Sequence, residues 1–260
     1  MTGQSILRAE VPFPPSVEDF FPPAIVEGTY PWLTKFTVLV VLAAVVIAAF
    51  FLIAYRNPKL VPTKAQWIAE SIYGFTRNNI AHDMIGPEGV RFAPYLTALL
   101  SFLLLTNIFG IIPGIQVSPN SHIAFPVVLA IISYVMFIYV GFRRHGLGYI
   151  KHSLVLPAPW FVQPILIPIE FASTFLIRPF TLAVRLFANM FAGHVILLVF
   201  TLGGFALLNS ASLLLKPVSL VSWVMAIAIT FLEVLVAILQ AYVFVVLTAS
   251  YIQGSLAEEH

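Results

Sequence analysis

The 260-residue chain contains no cysteine, so it has no disulfide framework, no thiolate metal site and no cysteine nucleophile. It is equally short of charge. Only 9% of its residues are Asp, Glu, Lys or Arg, where a soluble domain carries about one quarter. A formal net charge of +2 gives no footprint for nucleic acid. No Gly-rich phosphate loop and no Cys/His cluster of zinc spacing is present, so nothing in the chain announces a nucleotide, metal or other cofactor. The opening residues also lack a basic segment followed by an apolar core, and no cleaved leader is expected. What remains is hydrophobic: 60% of residues, with a mean hydropathy of +0.98. The composition is that of an all-α integral membrane protein.

Residues 1–31 form a Pro-rich, acidic segment with a single cation, Arg8, against Glu10, Glu18, Asp19 and Glu27. Its six prolines favour an extended chain. Residues 32–260 form the membrane domain. Stretches at 36–55, 92–112 and 123–142 have the roughly 20 apolar residues needed to cross about 30 Å of hydrocarbon, with no formal charge. Between the first two, about 62–82, charges alternate with Ile68, Ile72 and Phe75 on one helical face, which predicts an amphipathic helix on the membrane surface. Two further stretches, 157–208 and 217–252, are too long for simple spans. As straight helices they would measure roughly 75 Å and 54 Å. The reading favoured is an antiparallel pair of long, steeply tilted helices rather than four short crossings, because no polar turn interrupts either stretch. Basic residues cluster after the first span (Arg56, Lys59, Lys64) and the third (Arg143, Arg144, Lys151). By the positive-inside rule, five crossings then leave the N-terminus outside and the C-terminus cytoplasmic.

Arg185 lies deep in the fourth stretch, followed by thirty residues without a permanent charge. A guanidinium cannot be deprotonated in a protein, and mid-membrane placement costs roughly 3 kcal/mol or more. Arg178, Arg185, Asn189 and Ala192 share one helical face, and Ala188 and Ala192 allow another helix to approach closely. On the last helix Glu233 and Gln240 are seven apart and also share a face. In an antiparallel pair, facing residue numbers have a nearly constant sum. One alignment therefore brings Arg185 level with Gln240 and His194 level with Glu233, the second pair nearer the outer surface. Glu233 and His194 are titratable and suit a proton relay, whereas Arg185 suits a fixed gate that meets a mobile carboxylate. The plainer reading makes Arg185 a salt-bridge anchor for Glu233 or Glu170, and His194 a satisfied interior residue. Glu170 would either line an inner exit path or reach back to the interface. Asn107, in the second span, reads more readily as a helix–helix hydrogen bond than as a channel residue. A secondary transporter would show internal repeats, and none is seen. A non-conducting scaffold would have no use for the polar alignment.

The run Arg178-Pro-Phe-Thr-Leu-Ala-Val-Arg185-Leu-Phe-Ala-Asn189-Met-Phe-Ala-Gly-His194, the segment Glu233 to Gln240-Ala-Tyr-Val-Phe, Thr106-Asn107-Ile-Phe-Gly-Ile-Ile-Pro113 and the Glu-Glu-His end resemble subunit a of the F-type ATP synthase. The likeness covers roughly residues 60–260. It implies a proton-translocating stator that is not itself an enzyme and has no cofactor. Its partners would be a rotor ring of c subunits, the b subunits of the peripheral stalk and membrane lipid. It also implies that Arg185 faces the ring, with Asn189 and Gln240 in support, and that His194 and Glu233 line an outer half-channel. In some members the acid sits on the penultimate helix and the histidine on the last; here the two are exchanged, as in mitochondrial and several bacterial forms. Ala188 stands where Gly is common, a small-for-small change. The Glu-Glu-His tail and the long acidic N-terminal segment favour a bacterial plasma membrane over the mitochondrial inner membrane.

Overall fold

The computed structural model describes residues 34–112, 115, 117–146, 148–149, 162–210 and 213–256. The expectations for residues 1–31, for 157–161, for Pro113 and for the Glu-Glu-His tail lie outside these residues. Among the described residues the regular structure is entirely helical. Five helical stretches are long and apolar enough to cross a membrane: Lys35–Ala54, Pro87–Ile108, Ala124–His145, Gln163–Leu208 and Lys216–Leu256.

Helix α1 is Lys35–Ala54; Thr34 starts it by accepting a hydrogen bond from the Thr37 amide. Helix α2, Lys64–Phe75, is capped in the same way by Thr63 and continues as a wider π-helical stretch, Thr76–Ile85. Its protein-facing side is built from Gln66, Ala69, Thr76, Ile80 and Ala81, whereas Trp67, Ile68 and Phe75 point outward. Of the apolar residues that marked it as a surface helix, Ile68 and Phe75 thus face away from the protein and Ile72 is half-buried. A tight Pro87–Phe92 turn leads into α3, Ala93–Ile108, and α4 is Ala124–His145. Gly146 closes α4 at φ +59°, its amide reaching Phe142 O at 2.8 Å.

The fourth stretch is one continuous helix: α5, Gln163–Phe171, passes through a π-helical segment, Ala172–Ile177, into α6, Arg178–Leu208. The last helix, α7, is Lys216–Leu256. At 46 and 41 residues these measure about 69 Å and 62 Å. They run antiparallel, because Asn189, His194 and Phe200 meet Gln240, Glu233 and Ser222, one number rising as the other falls. The alternative of two short crossings in each is excluded.

The core lies around the C-terminal half of α7. Ala241, Phe244, Val245 and Ala249 form a stripe at helical spacing, packed with Ile80, Leu96, Leu103 and Leu186. Polar ties fix the register: Thr248 donates to Ser133 Oγ at 3.5 Å, and the Tyr149 and Ser255 hydroxyls are 3.2 Å apart. The N-terminal half of α7 is different. Leu220, Val221, Val224, Ile227, Phe231 and Leu235 are all exposed, so α6 and α7 present a broad apolar face to the membrane or to a partner.

Gly204 seats the Trp223 indole, and a β-carbon there would overlap it. Gly204→Val should lower the thermal stability of the purified membrane assembly by about 1–3 kcal/mol. An unchanged melting profile would show that the α6–α7 contact adapts freely.

Candidate functional site

The polar residues of α6 and α7 form two groups. The first group centres on a cavity of about 260 Å³ between α3, α6 and α7, lined among others by Asn107, Asn189, His194 and Glu233. His194 Nδ1 lies 3.6 Å from Glu233 Oε1, at ion-pair distance but a few tenths of an ångström beyond a hydrogen bond. Both carboxylate oxygens of Glu233 are buried without a hydrogen-bond partner within the described chain. The cavity beside it has room for water that would meet such a group.

Two glycines make this arrangement possible. A β-carbon at Gly193 would fall 2.7 Å from Glu233 Oε1, and one at Gly110 would overlap the His194 ring. Asn189 Nδ2 donates to Gln240 Oε1 at 2.6 Å, tying the cavity wall to α7. Asn107 does what its position in a span led us to expect, donating to Ala237 O at 3.1 Å. It also lines the cavity and accepts at 2.8 Å from Asn120, so the hydrogen-bonding and channel-lining alternatives are not exclusive. Asn120 (1% exposed) reaches Thr106 Oγ1 as well, and sits in a short turn, Pro119–Ser121, that the sequence did not mark.

The second group is Arg185 and its face. Residues 181, 185, 188, 189, 192, 196 and 199 are exposed at helical spacing along α6. Arg185 makes no ion pair or hydrogen bond among the described residues, and both acids proposed as its anchors are engaged elsewhere. Glu233 faces His194; Glu170 Oε1 is 3.8 Å from Arg178 and accepts from Thr174 at 3.2 Å. Arg178 in turn lies 5.5 Å over the Tyr251 ring. The salt-bridge reading of Arg185 therefore finds no partner in either acid. Gln240, expected level with Arg185, bonds instead to Asn189, one helical turn further along α6. The structure thus joins His194, Glu233, Asn189 and Asn107 around one cavity, with Gln240 tied to it through Asn189, and leaves Arg185 and Glu170 apart from it.

These features define a class: a multi-pass helical membrane protein with a buried acid–histidine pair beside a cavity and an unneutralised arginine on an apolar helix face. The family whose profile matches residues 36–253 is the ATP synthase A chain, and the chain belongs to it. It is 43% identical to the ATP synthase subunit a of a Nocardioides species over 261 residues, covering 95% of this chain and 94% of that one. The corresponding protein of Rhodococcus erythropolis is 43% identical over 260 residues (95% and 91%), and that of Streptomyces lividans is 43% identical over 234 residues (88% and 82%). Its bacterial relatives and its apolar helices make it a multi-pass protein of the bacterial plasma membrane.

Gly193→Ala tests the geometry. Its added methyl group must displace the Glu233 carboxylate, so passive proton conduction through the assembled membrane sector should fall. Conduction equal to the parent's would mean that the position of Glu233 does not matter.

Proposed function

We propose that this chain is the proton-conducting stator of an F-type ATP synthase and that it works through two offset half-channels. Protons come from outside past the Glu233–His194 pair and neutralise a carboxylate on a neighbouring ring of c subunits. The neutral site turns through lipid, and its proton leaves inward near Glu170. Arg185 meets each returning carboxylate in its ionised form and bars direct passage between the half-channels. ATP formation itself belongs to other subunits, and the b subunits of the peripheral stalk would hold this chain still. The N-terminus lies outside and the C-terminus in the cytoplasm, with α6 and α7 steeply inclined against the ring.

The observation that carries this reading is the free guanidinium. A cation exposed on an apolar helix face, with its own chain's acids turned elsewhere, is tolerable only beside a carboxylate brought by a partner. The small side chains Ala188 and Ala192 on the same exposed face let that partner's helix come close. The buried Glu233, lacking hydrogen-bond partners beside a cavity, supports its role in carrying a proton. The transmembrane field supplies about 2.3 kcal/mol per charge per 100 mV. That energy becomes rotation only if the sole route between the half-channels runs around the ring.

Arg185→Ala in membranes bearing the whole complex should abolish ATP-driven proton pumping while leaving the subunits assembled. Pumping at the parental rate would refute the gate. Glu233→Gln should slow pumping without loss of assembly, and a null effect would remove Glu233 from the path.

A further inference from the structure

The turn between α3 and α4 carries an interaction with consequences for how His194 works. Pro119–Ser121 is buried against α6, and the backbone amide of Ser118 donates to His194 Nε2 at 3.2 Å. Little in this turn is free to move. The Ser118 hydroxyl donates to Thr106 O at 3.1 Å and accepts from the Asn120 amide at 3.3 Å, while Ser121 Oγ donates to Ser118 O at 2.7 Å. Asn120 ties the turn to α3 through Thr106 and Asn107 at 2.9 Å and 2.8 Å. Gly110 supplies the space in which the imidazole lies against it.

A neutral imidazole has one donor nitrogen and one acceptor nitrogen, and the bond made by one decides the state of the other. An amide N–H can only donate. We infer that the Ser118 backbone amide is a positioning group that holds His194 in the tautomer bearing its proton on Nδ1, directed at Glu233. This inference rests on the proton-path reading above and refines it. A proton handed through the ring would have to sit on Nε2, donor against donor with the Ser118 amide, unless the turn swung away. His194 therefore acts as a fixed donor that orients the Glu233 carboxylate, a short closing movement from the observed 3.6 Å bringing the two into hydrogen-bond contact. Glu233 is then the group on which the mobile proton rides, reached through the water-sized space between α3, α6 and α7 rather than across the imidazole.

The test uses the intact complex with 15N-labelled histidine, in which solid-state NMR separates protonated from bare ring nitrogens. The His194 signal is assigned by its loss in His194→Gln. The parent should show Nδ1 protonated and Nε2 bare. Ser118→Ala removes the hydroxyl bonds but keeps the amide, and should retain that signature. Ser118→Pro removes the amide at a residue whose φ of −85° lies close to what proline accepts, and should admit the Nε2-protonated form. Its pumping should fall several-fold below that of Ser118→Ala. Should Ser118→Pro fail to assemble, Gly110→Ala pushes the ring off the turn and should lose the same signature. An Nε2-protonated parent, a proline variant with the parental spectrum, or equal pumping by the two Ser118 variants would each overturn the assignment. The spectrum reads the imidazole whether or not the chain conducts, so an error in the proton-path reading would appear in the Arg185 result and leave this one intact.

Discussion

An arginine exposed on a membrane-spanning helix, with no counter-ion among the described residues, is the constraint on which the rest depends. The charge cannot be discharged by losing a proton, and within its own chain it meets neither Glu170 nor Glu233. Arg178, only two turns away, shows the other solution. It is satisfied internally by Glu170 and lies against Tyr251. Two arginines on one helix are thus treated oppositely, one paired and one exposed without a partner among the described residues.

The helices around Arg185 are arranged to keep it so. The C-terminal half of α7 is locked into the bundle by Phe244, Val245 and Ile252, all fully buried, and by Thr248. Its N-terminal half and the exposed face of α6 stay bare, carried by the anchored half. The Asn189–Gln240 bond pins α6 to α7 between Arg185 and the Glu233–His194 pair. The acid–histidine pair is thereby separated from the arginine by a polar clamp.

Much of this was legible in the residues. The five apolar stretches and the alignment of His194 with Glu233 follow from period and spacing, because long apolar helices have few other ways to pack. Gln240 was expected level with Arg185 and bonds to Asn189, one turn along α6, because a constant-sum argument fixes depth only to about a turn. The π-helical segments at Thr76–Ile85 and Ala172–Ile177 leave no mark in composition, since they depend on backbone register alone. The turn at Ser118 was equally silent, because its key group is a main-chain amide that every residue but proline owns. Gly110 and Gly193 matter for the space they leave, and an absent side chain has no periodicity to detect.

The central claim is that the Arg185 face meets the ring carboxylate. With no native cysteine in the chain, disulfide cross-linking starts from a clean background. A cysteine introduced by Ala192→Cys, on the exposed face two turns from Arg185, should form a disulfide with one placed beside the carboxylate of a c subunit. Val45→Cys on the exposed side of α1 should not. Cross-linking from α1 with none from Ala192 would contradict the account.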